Sequence, residues 1–211
     1  MARQAVRVKV CGIRDAYTAT AAAKAGADAV GMVFVPGRRQ VSPELAREIC
    51  QSLPPFITRV GVFRDASPEE IRHIAKYCGL DLVQLHGQES PDYCRDLGLN
   101  SIKAIPVSDQ GIMVKAHDYP VKALLFDTCT GGQSGGTGRV FNWQLIQEIK
   151  YKLPFILAGG LTPENVGRAV VLLNPYGVDV SSGVERNGQK DPDLIKEFIN
   201  RVREVGSNAA R

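Results

Sequence analysis

The feature that most constrains this chain is a two-part grammar repeated from end to end: a short apolar run, then a helical stretch opened by a capping residue. Val6, Val8 and Val10 alternate with charged residues and predict a first strand. Asp15 then opens an Ala-rich helix over 16–25 that stops at Gly26. Residues 27–34 are nearly continuously apolar, the pattern of a strand buried on both faces. Ser42-Pro43-Glu44 starts the next helix, with serine at the N-cap and proline, which has no N–H to lose, at the first helical position. Ser67-Pro68-Glu69-Glu70, Ser90-Pro91-Asp92, Thr162-Pro163-Glu164 and Asp191-Pro192-Asp193 repeat that signature. Further strands are predicted at 57–63, 80–85, 101–105, 122–126, 155–158 and 177–180. Three helices end near Gly79, Gly98 and Asn174, and others are expected weakly at 109–117 and at about 142–151. The last helix carries Leu194, Ile195, Phe198, Ile199 and Val202 on one face.

Eight strands alternating with eight helices allow two architectures, an open doubly wound sheet or a closed (β/α)8 barrel. The 211 residues give each unit roughly 26, short for a fold that usually takes ~250 but workable. No Pro/Gly/Ser linker or charge block divides the chain. The expectation is therefore an α/β fold, one TIM barrel domain over 1–211 with a frayed tail at 206–211; the open sheet stays as the alternative.

Composition removes several function classes. The net charge is +4, and no Lys/Arg cluster is longer than Arg38-Arg39, so nucleic acid is not an expected partner. The five cysteines are scattered, with no C-x-x-C pair, which argues against a zinc site or a disulfide framework and for a reducing compartment. No apolar run approaches membrane-spanning length, and residues 1–6 lack a signal core. The expected location is the cytoplasm, with no membrane partner.

In such barrels chemistry belongs to the C-terminal strand ends and the loops after them. Cys11-Gly12 ends strand one, Arg38-Arg39 follows strand two, and Gln84-Leu85-His86-Gly87 ends strand four. Asp127-Thr128 ends strand six, Gly159-Gly160 strand seven, and Asp179 with Ser181-Ser182-Gly183 strand eight. A thiol, an acid, an imidazole and an arginine thus face one opening. Glycine lets backbone N–H groups approach an anion, and serine adds a hydroxyl donor. Gly159, Gly160, Ser182 and Gly183 are accordingly candidates for phosphate, although glycines that merely permit tight turns are the plainer reading of either pair alone. The loop over 130–141 is denser still in glycine, fits neither a Walker loop nor G-x-G-x-x-G, and reads as a lid or a linker.

Val10-Cys11-Gly12-Ile13, Gln84-Leu85-His86-Gly87, Phe126-Asp127-Thr128, Gly135-Gly136-Thr137-Gly138, Ala158-Gly159-Gly160-Leu161 and the run from Asp179 through Ser181-Ser182-Gly183-Val184-Glu185 together resemble the phosphoribosylanthranilate isomerase family. The motifs occur in family order along nearly the whole chain. The resemblance implies a cofactor-free and metal-free Amadori rearrangement of N-(5-phosphoribosyl)anthranilate to 1-(2-carboxyphenylamino)-1-deoxyribulose 5-phosphate, on the way to tryptophan. It implies Cys11 as general base, Asp127 as general acid, Arg39 as the holder of the anthranilate carboxylate, and His86 and Asp179 as pocket residues. Gly159, Gly160, Ser182 and Gly183 would take the phosphate. The implied partner is a phosphosugar–anthranilate substrate, and the chain would be a monomer or homodimer.

One departure from the pattern is visible. The loop Val35-Pro36-Gly37-Arg38-Arg39 is one residue shorter than usual and lacks a serine before the arginine, so Arg38 stands as an alternative to Arg39. Competing readings are a histidine-pathway isomerase, which has an aspartate where Cys11 stands, and indole-glycerol-phosphate synthase, whose catalytic lysine has no counterpart here. A non-catalytic phosphosugar-binding barrel and a flavin-dependent barrel oxidoreductase are the others.

Overall fold

The computed structural model describes residues 5–108, 111–112, 118–130, 133–134, 143–147 and 152–208. Eight strands form the barrel: β1 (Arg7–Cys11), β2 (Ala29–Val33), β3 (Thr58–Phe63), β4 (Leu82–Leu85), β5 (Ser101–Ser108), β6 (Ala123–Thr130), β7 (Phe155–Leu157) and β8 (Gly177–Val180). Each is parallel to its neighbours in the order β5-β4-β3-β2-β1-β8-β7-β6, and the β5–β6 pairing closes the ring. The open-sheet alternative is thereby excluded.

The helices described are α1 (Ala16–Ala25), α2 (Pro43–Ser52), α3 (Pro68–Cys78), α4 (Pro91–Leu97), α5 (Gln144–Gln147), α6 (Pro163–Leu173) and α7 (Pro192–Asn208). Their starts follow from side-chain chemistry. Asp15, Ser42, Ser67 and Ser90 each accept the backbone N–H three residues on, capping α1 to α4, worth about 1 kcal/mol apiece. Gly26, Gly79, Gly98 and Asn174 end α1, α3, α4 and α6 in the left-handed conformation.

Three expectations change. Strand β5 runs past Ile105 to Ser108, and Val107 and Ser108 pair antiparallel with Ile112 and Gly111, where a helix was expected over 109–117. Gly111 and β-branched Ile112 disfavour that helix; the rest of the stretch lies outside the described residues. Strand β6 continues past Phe126 to Thr130 and folds back against Gln133 and Ser134. The remainder of the expected lid at 130–141 lies outside the described residues, as does half of the helix expected at about 142–151, of which Gln144–Gln147 are helical. At the other end α7 stays helical through Asn208, so the tail expected to fray from 206 is helical for three residues, and 209–211 lie outside the described residues.

Strand alternation divides the interior. Val8, Val10, Met32, Phe63, Val83, Leu85, Ile105, Phe126, Val178 and Val180 point outward into the main core shared with the helices. A second cluster of Ile102, Ala104, Ala123, Leu125, Ile156 and Ala158 fills the barrel beside β5, β6 and β7. Opposite it, the inward positions of β1, β4 and β8 are polar yet buried: Lys9, Gln84 and Asp179. An apolar plug on one side and buried charge on the other mark the half of the barrel that the site occupies.

Candidate active site

A cavity of about 270 Å³ opens at the C-terminal end of the strands. Cys11, Arg38, Arg39, His86, Asp127, Gly159, Gly160, Asp179 and Ser182 all line it. Every sequence-designated site residue except Gly183 therefore reaches one wall or another of a single cavity. Gly183 lies behind it: a Cβ there would stand 1.8 Å from the Leu161 carbonyl oxygen, so this glycine lets the loops after β7 and β8 touch.

From β1, Lys9 and Cys11 share the inward face. The Lys9 Nζ donates to Asp179 Oδ1 at 2.9 Å, an ion pair with 5% and 8% of its side chains exposed. Lys9 also acts on the Cys11 thiol, which shares its inward face two residues along the strand. Burial pushes the Cys11 thiol up from its ordinary value, and Lys9 is the strongest influence pulling it back. Asp179 is likewise raised by burial, held back by Lys9 and pushed further by Asp127. Burial pulls Lys9 down, but Asp179 and Cys11 outweigh it, and its pKa ends above the ordinary lysine range.

From β6, Asp127 Oδ2 lies 3.3 Å from His86 Nε2, and His86 Nδ1 lies 3.0 Å from Gln84 Nε2. With the Gln84 amide assigned this way round, Nε2 donates to Nδ1, so the imidazole proton sits on Nε2, facing Asp127. The Gln84 Oε1 atom is then buried without a partner among the described residues. Rotating the amide would let Oε1 accept from Nδ1–H and leave Nε2 to accept a proton from Asp127. The dyad thus accommodates either protonation state of the acid.

The third group lies past β8. Glu185 accepts from Arg39 Nε at 2.7 Å and Arg39 Nη2 at 3.0 Å, from Arg38 Nη2 at 2.7 Å, and from Lys190 Nζ at 2.7 Å. Burial would raise this carboxyl, but hydrogen bonds from Arg39 and Lys190 hold it at about 2. Arg39 is the better enclosed arginine, with 20% of its side chain exposed against 59% for Arg38. It lies over Gly12, where a Cβ would come within 2.6 Å of Arg39 Cδ. Glu185 uses the Nε–Nη2 edge of the guanidinium, leaving the Nη1 end for another anion.

The loop after β7 is fixed by Asn165, which accepts from Thr162 N–H and donates to the Gly160 carbonyl, both at 2.9 Å. Gly159 and Gly160 take φ of 85° and 64°, and a Cβ on Gly159 would lie 2.2 Å from Thr128 Oγ1. Only glycine fits the turn. The Ser182–Val184 3₁₀ turn follows β8 beside it.

A family model described as N-(5'phosphoribosyl)anthranilate (PRA) isomerase matches residues 8–201. The chain belongs to the phosphoribosylanthranilate isomerase family.

Its similarity to individual family members runs over whole chains. It is 58% identical to the N-(5'-phosphoribosyl)anthranilate isomerase of Desulforamulus reducens, over 97% of this chain and 98% of that one. The crystal structure of the Thermotoga maritima enzyme superposes with a TM-score of 0.86 at 44% identity, covering 94% and 99% of the two chains. A family structure in complex with reduced 1-(o-carboxyphenylamino)-1-deoxyribulose 5-phosphate superposes at 0.81 with 42% identity and the same coverage. A further Thermotoga maritima structure, of monomers derived from a dimeric family member, gives 0.78 at 39%, again with that coverage.

Lys9, Gln84 and Lys190 carry much of the electrostatics of this family member's cavity, yet sequence reasoning gave none of them a role. Lys9 had a signal: it is two residues from Cys11 in an alternating strand, so both must share a face. Lys190 had none, because a hairpin brings it back from beyond the motif, where Glu185 and Arg186 pair with Lys190 and Gln189. Among the described residues no group of three or more His, Cys, Asp or Glu side chains is gathered as a metal ion would require. No helix among them is long and apolar enough to cross a membrane.

Proposed function

We propose that this barrel converts N-(5'-phosphoribosyl)anthranilate into 1-(2-carboxyphenylamino)-1-deoxyribulose 5-phosphate, the Amadori step of tryptophan biosynthesis, with Cys11 and Asp127 as the proton-transfer pair. The observation that carries this reading is that a thiol from β1 and a carboxyl from β6 line one cavity, with the paired glycine turn after β7 at its rim.

The reaction needs two proton movements. Asp127 gives a proton to the ribose ring oxygen, and the anthranilate nitrogen lone pair supports the iminium formed as the ring opens. The Cys11 thiolate then takes the proton from the neighbouring carbon, giving an enolamine that tautomerises to the ketone. Neither group is prepared for this in water, where a thiol titrates near ~8.5 and aspartate near ~3.9. His86 serves Asp127 by accepting from its protonated form or donating to its ionised one. Arg39 holds the anthranilate carboxylate through its free Nη1 end. The backbone N–H groups at Gly159, Gly160 and Ser182 take the phosphate, with Gly183 keeping the two loops in contact. Positioned acid–base groups contribute ~10²–10⁴-fold each.

The deciding experiment follows the loss of phosphoribosylanthranilate fluorescence in wild type, Cys11→Ala and Asp127→Asn. Turnover should drop by at least about 100-fold in each folded variant. Undiminished turnover in either removes that residue from its role. Arg39→Ala should chiefly raise KM; if Arg38→Ala does so instead, the clamp belongs to Arg38.

The assembly we propose is a homodimer. At the opposite, N-terminal face of the barrel Phe56 is 95% exposed. It stands beside a cavity of about 310 Å³ lined in part by Val60, Leu82, Ile102 and Ile156. A protruding ring and a recess whose wall is apolar on one side, with Arg7, Lys9 and Asp28 also lining it, can meet their counterparts under a two-fold axis. The cytoplasm is the proposed location, in keeping with free Cys11, Cys50, Cys78 and Cys94.

A further inference from the structure

A lysine–aspartate pair buried in a barrel is costly to desolvate, and apolar residues of similar volume usually serve stability as well or better. Lys9 and Asp179 occupy such a position, with inward-facing Ala104, Leu125 and Ala158 completing the interior beyond them. The placement of the Lys9 ammonium gives the reason. A Cβ on Gly31, the adjacent inward residue of β2, would meet Cys11 Sγ at 2.9 Å and Lys9 Nζ at 3.2 Å, so sulfur and ammonium crowd one point. The absence of a side chain at Gly31 is what lets them lie together.

We infer that Lys9 is a positioning residue for proton abstraction: its ammonium is divided between Asp179 and the Cys11 sulfur, and that division sets how readily the thiol becomes the base. The inference rests on the reading of Cys11 as the base and names what governs it. Three further charged groups bear on this sulfur or its partners. Asp179 comes from β8, Arg39 from the loop after β2, and Lys190 from the hairpin after β8. Arg39 and Lys190 are both bonded to Glu185, which neutralises much of their field. Asp127 and His86 act on Asp179 from the far side. Lys9 is thus the cation with the strongest pull on the sulfur, beside which it lies over Gly31, and Asp179 the anion that competes with the thiolate for it. Two anions cannot both be fully compensated by one ammonium.

The competition has opposite signs at its two ends, which a merely structural pair would not produce. Lys9→Met removes the cation and raises the thiol pKa. Asp179→Asn removes the rival anion and lowers it. Cys11 alkylation by iodoacetamide, followed across pH by mass spectrometry of the Cys11 peptide, reads this without turnover, because only thiolate reacts. The alkylation midpoint should move to higher pH in Lys9→Met, with about a tenfold slower rate at neutral pH for each unit moved. In Asp179→Asn it should move to lower pH. The double variant Lys9→Met/Asp179→Asn leaves no orphan charge and should fall between wild type and Lys9→Met. If Lys9→Met does not fold, the difference between Asp179→Asn and the double variant isolates the lysine. The acidic limb of the kcat/KM profile should move with the alkylation midpoint.

Unmoved midpoints, or shifts of one sign in both single variants, would overturn the inference. If instead Cys11→Ala retains full turnover, the base assignment fails, while the alkylation shifts still decide whether Lys9 controls the sulfur.

Discussion

Glu185 is surrounded by more positive charge than a carboxylate needs for its own stability, and the surplus is informative. Its two oxygens receive Arg38, Arg39 and Lys190. Lys190 also donates to Ser181 O at 3.0 Å, so one acid ties the loop after β2 to both ends of the hairpin after β8. An arginine pinned along one edge loses little entropy when its other end meets a substrate carboxylate. Glu185→Gln should therefore raise KM for phosphoribosylanthranilate by about tenfold, roughly 1.4 kcal/mol of lost positioning, with kcat changing less. A titration of initial rates on purified variant checks this, and an unchanged KM would remove Glu185 from Arg39's support. The same carboxyl gives a pH dependence. Its pKa in the folded chain is about 2, below the ordinary value of 4.5, so its contribution to stability is complete above that ordinary value and is lost as pH falls towards 2. Asp28 and Asp81, which burial alone would raise, are held down by Arg7, Arg59 and backbone N–H groups and act in the same direction. Thermal melting should accordingly fall steadily from pH 5 to pH 2 and stay nearly flat from pH 5 to pH 7.

At the scale of elements, what could be read from the sequence was what local chemistry decides. The Asp, Ser-Pro and Thr-Pro starts marked where α1 to α4 and α6 begin, and the Gly and Asn stops where α1, α3, α4 and α6 end, because each cap is a contact between near neighbours. The end of β5 was expected too early, at Ile105. Here Pro106 aligns with Asp127 and Val107 with Thr128, and the antiparallel turn at Gly111 extends β5 further. The parallel pairing depends on a strand 21 residues away and leaves no local trace. The rim showed the same division. Cys11, Asp127 and the glycine pairs were legible as strand-end residues, whereas the links from Glu185 to Arg39 and from Lys9 to Asp179 span 146 and 170 residues. The role of Gly183 is also non-local. Unlike Gly159 its φ is not positive, so only space requires glycine: a Cβ would stand 1.8 Å from a backbone oxygen that cannot rotate away. Gly183→Ala must push the loops after β7 and β8 apart. It should cost about 1–3 kcal/mol in a urea melt and raise KM at least tenfold through the phosphate. Binding of inorganic phosphate, measured as protection against thermal melting, should weaken in parallel; intact phosphate protection would place the anion elsewhere.

Across the whole molecule, two of the buried lysine–acid pairs, Lys9–Asp179 and Lys103–Glu89, stand on opposite sides of the barrel wall, and their surroundings assign them different work. Lys9–Asp179 faces inward beside Cys11. Lys103–Glu89 faces outward from β5, its side chains 3% and 1% exposed, with Nζ to Oε2 at 2.6 Å. Lys103 also donates to the Gly87 carbonyl at 2.7 Å, while Glu89 accepts from the backbone N–H of Asp65 at 2.9 Å and of Gly87. This pair ties the loops after β3 and β4 to β5 and makes no hydrogen bond or ion pair with Cys11 or Asp127. Each satisfied bond also means that deleting one partner leaves the other buried with its charge uncompensated. Lys103→Met should therefore destabilise the fold by about 3–5 kcal/mol, and Lys103→Met/Glu89→Gln should recover part of that loss. Turnover per folded molecule should stay within a few-fold of wild type in both. Lys9→Met should show the reverse balance, a larger fall in turnover per folded molecule than Lys103→Met for a comparable loss of stability. Urea melts and initial rates on the same preparations separate the two. If Lys103→Met lowered turnover per folded molecule as far as Lys9→Met, the division between a structural pair outside the wall and a chemical pair inside it would not hold.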